Sequence, residues 1–288
     1  MAEVHHIPVE VDSLNVDDDS AYGDEIRSYT TSLASSVKHY KWENGRRYHS
    51  YREGSYQFPN DEKEQDRLDL VHHLMTLALD GKLHLAPLSN PSRILDIGTG
   101  TGIWAIEAAD MYPSAEVVGN DLSPIQPKWY SVFQLKVVIS EGNMVQTKVG
   151  GWVEFQDWDL SYYSEDKSEA VDNKIIELHK LLIQGFDKLG RTARPGPHLK
   201  EWVENAGFEN IHHKAVKIPL GSWPKDKKLY PQKEIGTVNL IQSLDGMEAF
   251  ILGIFTRVLG WSPEEVQAFA VDARKDAMKK SVHLMCTL

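Results

Sequence analysis

Apolar residues recur along this chain at two periods, and the change of period outlines its elements. In FPNDEKEQDRLDLVHHLMTLALDGKL, Leu68, Val71, Leu74, Met75, Ala78 and Leu79 return at helical spacing, which puts them on one side of a helix. Asn60 or Asp61 can cap its start, acids fill the first turn and Gly81 stops it. The apolar run from Arg93 to Ile97 then reads as a strand, followed by a glycine loop, a helix from about Gly102 to Met111 and a second strand, AEVVGN, ending at Asn120. Together they make one βαβ unit of ~30 residues. Downstream, GGWVEFQDW reads as a buried strand after a glycine turn, and the stretch from Asp172 to Leu189 as an amphipathic helix closed by Gly190. LKEWVENAGFENI reads as a helix stopped by Gly207, and IHHKAVKI as a strand. The last third predicts two helices, roughly 234–259 and 262–280, the second with a capping box of Ser262, Pro263 and Glu265. Strand and helix alternate through the middle, so the expected class is α/β, a mostly parallel sheet flanked by helices on both faces.

Composition narrows this picture. Residues 1–25 are acidic and poor in bulky apolar groups and are expected to be a disordered tail. The rest, 26–288, is expected to be one domain: a helical lid over 40–90, an α/β core over 91–218 and a helical part over 219–288. With 41% hydrophobic and 25% charged residues, it has the make-up of an ordinary globular protein. No uninterrupted apolar run approaches the ~20 residues that span a bilayer. MAEVHHIPVE lacks both a signal-like apolar region and an Arg-rich amphipathic pattern. The expectation is a protein of the cytosol or nucleus with no membrane partner. A net charge of −11, relieved only by the short cluster KDKK, argues against direct nucleic-acid binding. The lone cysteine, Cys286, excludes an internal disulfide, and without an H-x-x-x-H or Cys/His cluster no metal site is expected. No Ser-His-Asp set or G-x-S-x-G elbow is present either.

The chemistry concentrates in RILDIGTGTGIWAIE. Its glycines are Gly98, Gly100 and Gly102, with Asp96 two residues ahead and Ile103 behind. A dinucleotide fingerprint would be G-x-G-x-x-G, and a P-loop would carry Lys-Ser/Thr; neither fits. Alternate glycines let the backbone approach a ligand that lacks a bulky pyrophosphate, while Asp96 can attract a cation such as an amino group. Asp121, at the end of the second strand, can accept bonds from ribose hydroxyls. A nucleoside with a cationic amino-acid end is thereby suggested: S-adenosylmethionine. The alternative is a tight turn with structural glycines. For acid-base work, Asp157 and Asp159 fall at the carboxyl end of the WVEFQDWD strand, where α/β sheets place ligands, or they merely solvate that end. His73 could face the cleft as a base, while His72, its neighbour on the helix, points elsewhere.

Larger blocks carry a resemblance. GRRYHSYREGSYQFPNDEKEQDRLDLVHHL, ILDIGTGTGIWAIEAADMYPSAEVVGNDLSPIQPKW, GGWVEFQDWD, RPGPHLKEWVENAGF, IPLGSWPKD and FTRVLGWSPEEVQAF together resemble the fungal LaeA-like methyltransferases, from about Tyr40 to Ser281. That resemblance implies a seven-stranded class I methyltransferase fold and S-adenosylmethionine as cofactor, with Asp96, Gly98, Gly100, Gly102 and Asp121 lining its site. It further implies that Tyr48 and Tyr56 fold over the cofactor as a lid, against the plainer reading of packing aromatics. Members of the family occur in secondary-metabolite gene clusters, and the best-known one is a nuclear regulator working with velvet-domain proteins. The acceptor would be a small metabolite.

The resemblance breaks in one place. Only 28 residues separate Asp121 from Gly150, where two βαβ units would need ~60. One strand, FQLKVVI (133–139), fits; the strand that should lie beside the first does not, and Glu141 or Asn143 would be left to meet the adenine. The chain also ends at SVHLMCTL, where the family continues into a last strand. The sheet is therefore expected to be incomplete, with strand 4 and the last strand missing or improvised. A misread intron altering residues 130–149 and those after 281, a non-catalytic accessory protein acting through pathway proteins, and a compact working site are the three explanations. The third-glycine spacing argues against a nicotinamide oxidoreductase.

Overall fold

The computed structural model describes residues 40–49, 56–126, 150–168, 172–225 and 230–288. The expected tail at 1–25, the FQLKVVI segment, Glu141 and Asn143 lie outside the described residues. The described chain begins with a hairpin, β1 (Lys41–Glu43) and β2 (Arg46–Tyr48). Its turn places Asn44 and Gly45 in the left-handed region, φ 49° and 76°, which an Asn-Gly pair adopts readily. Arg46 then holds Asp61 with two bonds of 2.5 and 2.9 Å. Asp61 also caps α1 (Glu62–Ala78) by accepting from Glu64 N at 3.1 Å. Hairpin and helix are thus locked together at one carboxylate.

The βαβ unit forms as expected: β3 (Arg93–Ile97), α2 (Ile103–Met111) and β4 (Glu116–Asn120). The strands pair in parallel, from Arg93 opposite Glu116 to Ile97 opposite Asn120. The small residues Ala105, Ala108 and Ala109 let α2 sit close to Val117, Leu83 and Ile94. On the other face of β3, Leu95 is 47% and Ile97 58% exposed.

A second sheet comprises β5 (Asp159–Tyr163), β6 (Lys217–Pro219) and β7 (Met285–Thr287), in the antiparallel order β5-β7-β6. Of the two alternatives for the last strand, missing or improvised, the second holds. The last strand is not missing: the final residues of the chain supply it, and Leu284, Met285 and Cys286 are buried. The part of the chain after residue 219 is therefore not purely helical. Two other strands are shorter than expected. Residues 151–158 of GGWVEFQDW form no ladder, and Trp152 and Phe155 are exposed; pairing begins only at Asp159, where β7 offers a partner. Of IHHKAVKI, only Lys217 and Ile218 lie in a strand, because β7 opposite is three residues long. Among the described residues the two sheets are not joined, and the strand that would bridge them falls where the chain is short.

The remaining helices are α3 (Lys174–Lys188), α4 (Leu199–Asn205), α5 (Tyr230–Arg257) and α6 (Pro263–Ala277). The main core joins α3, α5 and α6 through Leu178, Leu182, Ile251, Ile254, Phe255 and Val266. A second cluster sets Leu74 and Ala78 of α1 against Ile218, Ile235 and Cys286. Within α5, Gln232–Arg257 is long and apolar enough to cross a membrane, and 56% of its most apolar window is buried inside the molecule. Its apolar face is the core against which α1, α3 and α6 pack. The capping box on α6 is formed, Ser262 Oγ accepting from Glu265 N while Glu265 accepts from Ser262 N.

Candidate functional site

The parallel pair brings Asp96 and Asp121 to its carboxyl end, and the loop between β3 and α2 lies over it. Gly98, Gly100 and Gly102 all take left-handed backbone angles, φ 77°, 55° and 87°, so only glycine fits all three without strain. A side chain at Gly98 would project into open space, and one at Gly100 would approach Leu68 of α1 at 3.7 Å. The loop is consequently a bare main-chain cradle with α1 on its flank.

Asp96 accepts from Thr99 Oγ1 at 2.6 Å. Burial pushes its pKa up, Thr99 opposes that shift, and nearby Asp121 adds to it. Asp121 turns inward: its oxygens accept from Gly100 N and Ser123 N, both at 2.8 Å. Burial raises its pKa as well, against those two amide bonds. Gln126 completes the loop by donating to Gly100 O at 2.7 Å and Ser123 O at 3.0 Å. The Leu122 amide adds a third bond to this carboxylate.

Beside the loop lies a cavity of about 180 Å³, lined by His72, Met75, Asp96, Gly98, Trp104 and Gln156 among others. Pockets that enclose a whole ligand run to roughly 300–1,000 Å³, so this one suits an end of a molecule. α1 forms one wall and is tied down on that side by two contacts, Thr101 Oγ1 to Asp69 at 2.7 Å and His72 Nε2 to Glu107 at 3.0 Å. Residues 68, 72, 75 and 76 follow helical spacing and face the loop and cavity, while the stripe of Leu74 and Ala78 faces the second core cluster.

Not every expected site residue is here. His73 is exposed and it is His72 that lines the cavity; one residue is a turn of about 100° on a helix. Tyr48 is a buried packing aromatic, 3% exposed, under the Arg257 guanidinium at 4.6 Å, which places it against α5 instead of over the loop. Tyr56 does stand near Glu64 and Asp121, and 38% of it is exposed. Asp157 is exposed and accepts from Trp158 N, and Asp159 is held by Arg194 at 2.6 and 2.9 Å; neither contact involves the glycine loop. Thr99, Gln126 and Gln156 were not anticipated. The D-x-G-x-G-x-G pattern gives no signal for Gln156, which arrives from a distant segment. Among the described residues, no group of three or more His, Cys, Asp or Glu is placed to hold a metal ion.

Comparison with known proteins decides the family. A methyltransferase-domain family model matches residues 70–149, the stretch that contains the glycine loop and both acids. The chain is 40% identical to Methyltransferase pytC of Aspergillus terreus, over 97% of this chain and 93% of that protein. The chain belongs to the LaeA-like methyltransferases. It is also 35% identical to the secondary metabolism regulator laeA of Aspergillus fumigatus, over 84% of this chain and 73% of that one. With the protein-methionine methyltransferase laeA of Emericella nidulans it shares 33%, over 84% and 72%. The alignment with the A. terreus methyltransferase spans 312 positions, 24 more than the 288 residues of this whole LaeA-like chain. The relative therefore carries residues within the matched span that are missing here, in keeping with the short connection after Asp121.

Proposed function

We propose that this LaeA-like methyltransferase takes its methyl group from S-adenosylmethionine and gives it to a small metabolite in a secondary-metabolite pathway. The observation that carries the donor is the left-handed glycine loop set between two desolvated carboxylates, with a cavity the size of a ligand's end beside it. Support for the pathway comes from relatives named as secondary metabolism regulators. The better length match to the A. terreus methyltransferase than to those regulators favours an enzyme, and a role through protein contacts alone is the weaker reading. We also place the protein in the cytosol or nucleus.

The residues divide the work as follows. Bound S-adenosylmethionine would supply an electrophilic methyl group on a sulfonium. Asp96, desolvated at the cavity wall, would hold a cationic ammonium, because a buried carboxylate gains most from a charge-assisted bond. The loop and the Asp121 carboxylate would fix the sugar. α1, braced by Asp69 and His72, would keep water from one side, and alignment of acceptor and methyl carbon supplies most of the rate. Tyr56, near Asp121, stands where it can cover the sugar.

The test is titration calorimetry of the purified chain with S-adenosylmethionine. Binding in the micromolar range is expected, and Gly100→Arg should abolish it, since φ 55° strains any side chain and an Arg would fill the cradle. A folded wild-type sample that releases or absorbs no heat overturns the reading.

A further inference from the structure

Two residues before α1 have capping side chains, and the helix uses only one. Asp61 accepts from Glu64 N, so the side chain of Asn60, its neighbour and just 2% exposed, serves elsewhere. Its Oδ1 accepts from Arg47 Nε at 3.1 Å. Its main chain binds the same residue twice: Asn60 N donates to Arg47 O at 2.7 Å, and Arg47 Nη2 donates to Asn60 O at 2.6 Å. A guanidinium only donates, so the amide oxygen must face Arg47 and the amide nitrogen must face away. There Asn60 Nδ2 donates to Ser123 Oγ at 3.3 Å, across 63 residues of chain. Ser123 is buried as well, and its main-chain N–H donates to Asp121 Oδ1 at 2.8 Å. A line of bonds thus runs from the hairpin through Asn60 to the carboxylate beside the glycine loop. Tyr40, whose ring lies 4.6 Å under the Arg47 guanidinium, meets the same turn after β4 at Pro124 O, 3.5 Å away.

We infer that Asn60 is a positioning residue for donor binding, its amide setting Ser123 and thereby the direction of the Asp121 carboxylate. The inference rests on the donor reading above and adds to it a residue that acts through another. A buried amide bonded at both ends fixes a direction, because displacing either partner leaves a polar group unpaired, which costs more than the bond itself contributes. The rival is a mechanical role, in which Asn60 only anchors the hairpin to the start of α1.

Titration calorimetry with S-adenosylhomocysteine and its 2′,3′-dideoxy analogue separates the two, since only the first offers Asp121 the sugar hydroxyls. On the wild-type protein the analogue should bind about 10-fold more weakly, the loss of a bond to a charged group. Ser123→Ala removes the bond to Asn60 and leaves those of Arg47 in place. It should weaken S-adenosylhomocysteine about 5-fold and the dideoxy analogue by less than about 2-fold, and Asn60→Leu should show the same selectivity. Equal losses on both ligands would assign Asn60 the mechanical role, and an unchanged affinity for S-adenosylhomocysteine would take it out of donor binding. Either result overturns the inference and leaves the donor reading intact. Equal binding of the two ligands by the wild type would show that Asp121 does not hold the sugar, and the inference falls while the donor stands. If the folded wild type binds neither, the donor reading fails first and takes this one with it. Should Asn60→Leu not fold, Ser123→Ala decides alone.

Discussion

His179 shows what burial does to a titratable side chain in this fold. Its ring lies 4.3 Å from that of Tyr162, its Nδ1–H donates to Ile175 O at 2.8 Å, and desolvation pulls its pKa from 6.5 to about 4. The native state therefore refuses a proton that the unfolded chain accepts below about pH 6.5. Stability attached to His179 is present above that pH and is lost as pH falls toward about 4. Between pH 7 and pH 5 the loss should be about 2 kcal/mol in urea unfolding, and His179→Gln should flatten the curve by that amount. An equally steep variant would assign the acid sensitivity elsewhere. At this same scale the chemistry was only partly legible. The three glycines were readable because the loop's backbone angles demand them, and Asp96 and Asp121 because they are acids flanking that loop at the strand ends. His72 was not separable from His73 until the phase of the helix was fixed, and Tyr48 proved a packing residue because its partner, Arg257, is 209 residues away in the chain.

Helices were more legible than strands. α1, α2, α3 and α6 begin and end close to their expected caps because each signal is local: Asp61, Asn173 and Ser262 bond to amides two or three residues on. A strand depends on a partner the sequence does not display. WVEFQDW has strand composition yet stays unpaired, and LMCT, where the last strand was expected to be missing or improvised, pairs on both edges. α5 carries a further feature that propensity alone would misjudge. A methyl group on Gly253 would lie 2.5 Å from Gln57 O, a main-chain atom with no freedom to move aside. Gly253→Ala should therefore destabilise the fold by roughly 1–3 kcal/mol, despite the ~1 kcal/mol that helix propensity would return. Thermal unfolding measures it, and an unchanged or raised Tm would contradict this packing of α5 on the segment before α1.

Among the described residues, the sheet is in two parts, in keeping with the short connection after Asp121. One half carries the glycine loop on a two-stranded parallel pair, and the other is closed by the chain's last residues. Leu95 of β3 is 47% exposed, whereas a sheet covered on both faces would bury it. Leu95→Thr should accordingly change stability by less than about 0.5 kcal/mol, as at an ordinary surface position. A loss of more than about 2 kcal/mol, typical of a core leucine, would show that this face is covered. What the split sheet keeps is the loop, its two carboxylates and the wall made by α1, and the methyltransferase assignment depends on these working together. Amide hydrogen exchange with and without S-adenosylhomocysteine tests that most directly. Slower exchange confined to residues 96–104 and 120–126 is predicted; unchanged exchange there, or protection only in β5, β6 and β7, would contradict it.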